Sequence, residues 1–404
     1  MKPRIYCKIA LRNCQDADEA SFYRKTRYNK NDMHSLNRGH QDRPLHSDHV
    51  VVGLSGGVDS AVTAALLQEE GHTVHGVVLN LWRLPETQTG PEDGTVIAAR
   101  GVAAALDIDL IVRDLQQRFY DTVVAPFMKA YRRGSTPNPC VLCNPQFKFR
   151  ALIETADALN SAWIATGHYA RVVHAPQAPT RLYTAANPDK DQSYALYRLR
   201  QPQLQRLRLP LGDLETKARV RALARAHGIP SAEREDSQDL CFVGGGDYRK
   251  ALRAEQPDAF QPGPIYSASG ERLGKHDGLP GYTVGQRSGL GIASTERLYV
   301  IRKDPEHNAL VVGPRSQLQR TTCTVDQMTF TTGTPPAPQF RAVGRIRYHA
   351  PLSPLTVEML DEYHARVTFE EPQWGVAPGQ SLVLYRNDEV VGGGLIAASE
   401  PQPI

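Results

Sequence analysis

Three things that would place the chain quickly are scarce or missing. Its 404 residues contain no apolar run long enough to span a bilayer, and the first residues lack the apolar core of a secretory signal. Cysteine is sparse. The six residues Cys7, Cys14, Cys140, Cys143, Cys241 and Cys323 are too few and too unevenly spaced for a disulfide framework. Charge of one sign is not in excess either: 47 Lys and Arg stand against 43 Asp and Glu, a net of +4. Any contact with nucleic acid must therefore come from local patches. There is no internal repeat. Residues 1–46 scatter charged and polar side chains without apolar periodicity and are expected to be a disordered extension, with Asp16, Asp18 and Glu19 arguing against a transit peptide. The expectation is a soluble, cytoplasmic protein of two or three domains that makes no use of a membrane.

Pattern begins at residue 50. Val50, Val51 and Val52 lead into Gly53-Leu54-Ser55-Gly56-Gly57-Val58-Asp59-Ser60, and Ala61–Leu67 follows with helical composition. That is strand, loop, helix. Gly56 and Gly57 permit a tight turn and a close backbone approach, Ser55 and Ser60 offer hydroxyls, and the new helix directs unpaired N–H groups into the loop. Such a cup suits phosphate oxygens. No Gly-Lys-Ser/Thr follows, so it is not a Walker A loop. Val74–Leu79 reads as a second strand ending at Leu79, which could flank an adenine; Leu110–Val112 reads as a third. Trp163–Thr166 is a further strand delivering Gly167 and His168 to the same sheet edge, where Gly167 would let the backbone close on a nucleotide. His168 is equally readable as a strand-end hydrogen bonder. Alternating strands and helices require a parallel sheet with ligands at its carboxyl edge. Pro137 and Pro139 are expected to hold Gly134–Asn144 as a rigid loop rather than a helix.

Beyond Pro262 the texture changes to short strands with Gly/Pro turns. The fold class expected is α/β: a parallel-sheet domain over 47–254 carrying part of an inserted central domain, a small β-rich central domain over 255–317 and a C-terminal β-barrel over 318–404. Within this frame Cys140 and Cys143 have C-x-x-C spacing. A structural zinc would need two more ligands from Cys241, Cys323 or scattered histidines, and a thioredoxin-like pair would sit in a compact βαβ protein without a nucleotide loop. A third reading couples the thiols to adenylation, with ATP converting a carbonyl oxygen into a leaving group that sulfur displaces.

The Ser55–Ser60 loop resembles the pyrophosphate loop of ATP pyrophosphatases. Together with Thr136-Pro137-Asn138-Pro139 and Cys143-Asn144, Thr166–Arg171, Lys190–Tyr194, Asp236–Phe242, Gly281–Arg287 and Arg345–Tyr348, it resembles the tRNA-specific 2-thiouridylases, in the family's order from residue 50 to about 400. The resemblance implies ATP-dependent 2-thiolation of the wobble uridine of tRNA, with AMP and pyrophosphate as co-products and ATP and Mg²⁺ required. It implies ATP contacts at Gly53, Leu54, Ser55, Gly56, Gly57, Val58, Asp59, Ser60, Leu79 and Gly167. Asn138, Pro139 and Cys140 would face the target base, and Lys190, Asp191, Gln192, Arg347 and Tyr348 would touch tRNA. Cys143 and Cys241 would be catalytic, Cys241 carrying a persulfide from a cysteine desulfurase or sulfur-relay protein and the pair closing to a disulfide. Many members have aspartate where this chain has Cys140. Three thiolates at Cys140, Cys143 and Cys241 also match the ligand set of a [4Fe–4S] cluster with one iron open. The rivals are another adenylating pyrophosphatase, which needs no third thiol, and an RNA-binding protein with a vestigial loop, which the intact Asp59 and Ser60 argue against.

Overall fold

The computed structural model describes residues 23–25, 45–83, 93–234, 240–243 and 248–398. Most of the 1–46 extension and the whole Gly244–Gly246 run lie outside them. The first sheet contains β1 (Tyr23–Lys25), β2 (His46–Gly53), β3 (Thr73–Asn80), β4 (Asp109–Asp114), β5 (Ser161–Ala165) and β8 (Leu207–Arg208), in the order β1-β4-β3-β2-β5-β8. All neighbours run parallel except β1, which lies antiparallel along β4. Val50, Val51 and Val52 are wholly buried because β2 is central and covered on both faces. From β2 the chain proceeds outward through β3 and β4, then returns to the other side of β2 with β5 and β8. The crevice beyond the carboxyl ends of β2 and β5 is therefore the topological switch point.

Helix α1 (Val58–Glu69) follows β2 and buries Val58, Ala61, Val62, Ala64, Ala65 and Leu67 against the sheet. Small side chains let it lie close. Gly71 follows in the left-handed conformation (φ 86°), which stops the helix. Helix α2 (Gly94–Ala105) starts at Asp93, whose carboxylate accepts from the Thr95 N–H at 2.6 Å.

The expected rigid loop over 134–144 needs correction. A helix begins at Pro139 and continues without a break to Ala158. Pro139 occupies the first turn, where its missing N–H has no intrahelical partner to lose, and the Asn138 side chain caps the turn by accepting from the Cys140 N–H at 3.0 Å. The next proline, Pro145, would clash inside a regular α-helix, and there the helix widens into one π turn, Asn144–Lys148. A second π turn, Tyr120–Val124, interrupts the preceding helical run Gln116–Arg132.

A four-stranded sheet, β10-β9-β12-β11, forms the central domain from β9 (Gly263–Ser267), β10 (Arg272–His276), β11 (Tyr299–Asp304) and β12 (Ala309–Gly313). The C-terminal domain comprises β13 (Gln319–Phe330), β14 (Gln339–Arg345), β15 (Ser353–Met359), β16 (Ala365–Trp374), β17 (Ser381–Arg386) and β18 (Glu389–Ala398). Their order is β13-β16-β15-β14-β17-β18, and β18 pairs back onto β13, closing an antiparallel barrel. The α/β class and the division into sheet, small β-rich unit and barrel are those expected from the sequence.

One connection was not expected. The hairpin of β6 (Arg171–Ala175) and β7 (Ala178–Tyr183), which leaves the first domain after β5, pairs with β18 through Tyr183 and Glu389. Ion pairs Arg171–Asp388 and Arg181–Glu389 flank the joint. Behind it the Tyr194 hydroxyl donates to the Ser381 carbonyl at 2.8 Å, and Tyr197 meets the Ser381 hydroxyl at 3.2 Å. One apolar cluster runs through both domains, joining Leu182, Tyr194 and Tyr197 to Val383, Tyr385 and Val390.

Candidate active site

The loop after β2 is built from its own hydroxyls. Ser60 Oγ accepts from the Ser55 N–H at 3.1 Å and donates to the Gly57 carbonyl at 3.2 Å, while Ser55 Oγ lies 3.2 Å from Ser60 Oγ. Leu54 is buried, its N–H bonded to the Val77 carbonyl. Gly56 is left-handed (φ 72°), and a Cβ there would stand 2.4 Å from that of Ala98 on α2. The first bond of α1 is donated by Ala61 to the Gly57 carbonyl, so the N–H groups of Val58, Asp59 and Ser60 precede the helical ladder. That geometry suits an anion with several oxygens. Gly53 ends β2 beside Leu152, and Leu79 stands one residue before the end of β3, half-buried between two apolar clusters.

Gly167 has a reason beyond close approach to a nucleotide. A Cβ on it would lie 2.7 Å from the Ser60 nitrogen and 2.8 Å from the Asp59 carbonyl carbon, so the backbone after β5 abuts the start of α1 directly. Asp59, in that first turn, accepts on Oδ1 from the Tyr169 hydroxyl and from Lys217 Nζ, each at 2.6 Å. Sequence reasoning missed both partners, since Lys217 lies 158 residues further along the chain.

The thiols come from two segments. Cys143 is buried one turn beyond the solvent-accessible Cys140 on the helix that starts at Pro139, and Cys241 is exposed. Phe242 anchors the second segment: it is buried, with its ring centroid 6.0 Å from Phe119 and 5.5 Å from Phe127, in the apolar cluster that also holds Cys143 and Phe147. Lys148, in the π turn, is the common neighbour. Its ammonium charge pulls the Cys140 and Cys143 thiols down, and all three thiols, Cys241 included, raise Lys148 to about 12 against the effect of its burial. Burial dominates at the thiols themselves. It pushes Cys143 up to about 12 and raises Cys140 as surrounding atoms crowd its sulfur, so both rest protonated at neutral pH. The backbone N–H of Lys148 also bonds Cys143, favouring its thiolate.

His168 links this cluster to the nucleotide-type loop. It follows Gly167, its Nδ1 is 2.8 Å from Thr166 Oγ1, and burial together with the Lys148 charge depresses its pKa to about 3. A ring held neutral so firmly is a weak base; the strand-end hydrogen-bonding reading suits it.

The residues expected at RNA divide into two kinds. Asp191 is buried: Oδ1 accepts from the N–H groups of Ala185 and Ser193, and Oδ2 from the Ser193 hydroxyl. Gln192 is bonded through side chain and backbone to Tyr169. These two side chains brace the site from within. Lys190 is half-buried just before them. Tyr348 donates to the Asp191 carbonyl at 3.0 Å, and burial raises its pKa. Arg347 lies 4.6 Å from the Trp374 ring centroid, and Arg315 lies 4.4 Å from it. Asn138 and Pro139 form the capped helix start that carries Cys140.

Among the described residues, the group close enough to share one metal ion is His46, Asp48 and His49, not the thiols.

Models of three domain families match in succession: the tRNA methyl transferase HUP domain over 48–245, the tRNA methyl transferase PRC-barrel domain over 253–314 and the aminomethyltransferase beta-barrel domain over 320–396. The tRNA-specific 2-thiouridylase MnmA of Roseiflexus castenholzii is 45% identical over 368 residues, covering 86% of this chain and 99% of the relative. Its namesake from Chloroflexus aurantiacus is 45% identical over 358 residues, covering 87% and 99%. That from Herpetosiphon aurantiacus is 40% identical over 353 residues, covering 86% and 98%. Similarity of this extent through all three domains shows that the chain belongs to the tRNA-specific 2-thiouridylase family.

Proposed function

We propose that this chain is an ATP-dependent tRNA sulfurtransferase of the cytoplasm that adenylates the C2 oxygen of the wobble uridine and replaces it with sulfur. The observation that carries the reading is one of continuity. Gly167 abuts the start of α1, the next residue lies in the field of Lys148, and that same charge acts on the Cys140 and Cys143 thiols. This supports a reading in which a phosphate-type cup and a sulfur centre serve one crevice at the switch point.

In the first step the C2 oxygen attacks the α-phosphorus of ATP, and pyrophosphate leaves with the electrons of the broken P–O bond. The N–H groups at the start of α1 meet the negative charge that develops there. Mg²⁺, when bound, would offset the remaining phosphate charge. Asp59 fits it as a hard oxygen ligand at the mouth of the cup, its direction set by Tyr169 and Lys217. In the second step the terminal sulfur of a Cys241 persulfide bonds to C2 and AMP departs with the C–O electron pair. Cys143, as thiolate, then attacks the Cys241 sulfur and breaks its bond to the transferred atom. The products are 2-thiouridine and a Cys143–Cys241 disulfide, which two electrons from an external thiol reduce. The donor that loads Cys241 would be a cysteine desulfurase or a sulfur-relay protein. Reaching C2 requires the base to leave the anticodon stack, and Asn138, Pro139 and Cys140 line the approach. Lys190, Arg347 and Tyr348 would meet the RNA around it.

A second reading is favoured by the third thiol. Cys140 joins Cys143 and Cys241 around Lys148, and three thiols beside a buried ammonium fit a [4Fe–4S] cluster, whose ligand-set charge Lys148 would offset. A bound cluster would supply an open iron for sulfide.

The test is an assay of AMP and 2-thiouridine with ATP, tRNA and a persulfide donor, run on protein purified without oxygen and analysed for iron and labile sulfide. Cys241→Ser should lose sulfur transfer while retaining ATP binding; full thiolation in that variant would overturn the persulfide role. Protein free of iron after reconstitution yet fully active with the donor would exclude the cluster.

A further inference from the structure

At the far end of β2 from the nucleotide-type loop, the strand opens with His46-Ser47-Asp48-His49. Strict alternation would send His46 and His49 to opposite faces. The pairing of β2 with β5 shifts register between His46 and Val50, and the two imidazoles meet: their centroids are 4.7 Å apart with planes inclined by 23°. One ligand atom from each of His46, Asp48 and His49 lies within 4.8 Å of the others. His75 on β3 completes the group, with Nε2 3.4 Å from His49 Nδ1. None of these residues takes part in the chemistry derived above.

We propose that His46, Asp48 and His49 form a binding site for a divalent transition-metal ion of the zinc class. Two imidazoles and one carboxylate are the donors such borderline ions select, and they leave a fourth position for water. Bonds of about 2.1 Å in a tetrahedral site set ligand atoms roughly 3.4 Å apart. Closing from the present spacing asks about an ångström of movement from His46 and Asp48, both exposed side chains on the strand's first turns of pleat. His75 acts as the orienting partner. A bond from His49 Nδ1–H to His75 Nε2 would hold the His49 ring in the tautomer whose Nε2 lone pair is available to the ion, the usual arrangement behind a metal-bound histidine.

Zn²⁺ binding to the full-length protein tests this, measured by calorimetry in a Cys140→Ser Cys143→Ser background that removes the thiol pair as a competitor. Co²⁺ serves as the spectroscopic probe. The expected result is one equivalent of Zn²⁺, a Co²⁺ spectrum of visible d–d bands without an intense near-ultraviolet thiolate charge-transfer band, and affinity about tenfold or more weaker in His46→Gln and in His49→Gln. His75→Gln should weaken binding less than either. His46 is exposed, so its glutamine variant tests the site without disturbing the core, and circular dichroism melts without metal confirm that each variant is folded. Absence of Zn²⁺ binding, binding unchanged in both His46→Gln and His49→Gln, or a Co²⁺ spectrum dominated by thiolate charge transfer would overturn the proposal.

Discussion

Lys148 places an ammonium charge where the Cys140 and Cys143 thiols can use it, and no motif in the sequence marks it. Its role follows from the π turn that Pro145 imposes, which sets a lysine five residues after Cys143 against that thiol. Replacing Lys148 with Met keeps the stem and removes the charge. Sulfur transfer in a single turnover is expected to slow by about 10- to 100-fold, because sulfur chemistry needs the thiolate, while ATP binding persists. Unchanged rates of both thiolation and cysteine alkylation would remove Lys148 from the mechanism. His168 gives a prediction in pH. Its folded-state pKa, about 3, lies below the ordinary 6.5, so its contribution to stability is whole above pH 6.5 and is lost as pH falls toward 3. The loss amounts to about 5 kcal/mol at most. His174 and His276 are depressed in the same direction, so the acid limb is shared. His168→Gln should flatten it, as denaturant melts between pH 7 and pH 4 would record. Single residues were the least legible level of the sequence. Asp191 reads as a surface carboxylate among charged neighbours, yet three hydrogen bonds from the fold consume it.

Elements were legible where one local cause decides them. The valines of β2, the glycine turn and the alanine-rich α1 agree at every position, and strand, loop and helix form as expected. The helix from Pro139 was misread because proline inhibits a helix everywhere but its first turn, and only the Asn138 cap distinguishes the two cases. Among elements, the contact between two of them was harder to read than either element alone. Gly167 reads as a ligand-facing glycine, and its lack of a Cβ also serves the approach of the post-β5 backbone to α1. Gly167→Ala must therefore displace the helix start itself, at a cost of roughly 1–3 kcal/mol in stability. ATP-dependent AMP formation should fall with it, even though no side chain that touches phosphate has changed. A variant with normal thermal stability and normal adenylation would show that the two backbones have room to part.

At the scale of the whole molecule, the function proposed above has RNA meet the barrel, where Arg347 and Arg315 stack on Trp374. Arg347→Ala is expected to weaken tRNA binding and to lower the dependence of log K on log salt by about one, the signature of a single phosphate contact. Identical affinities across a salt series would confine Arg347 to packing on Trp374. The barrel was foreseeable from its alternating strands, but its joint with the first domain was not, because a register between Tyr183 and Glu389 leaves no periodic trace over two hundred residues of chain. That joint carries a consequence for synthesis. The ribosome releases Tyr194 and Tyr197 long before Ser381, Val383 and Tyr385 exist to cover them, and the barrel cannot close until β18 pairs with β13. The nascent first domain must wait with an aromatic surface uncovered, a state open to chaperones and to aggregation. A premature stop codon a few residues before β18 would thus harm the nucleotide domain at the other end of the gene product as surely as the barrel itself.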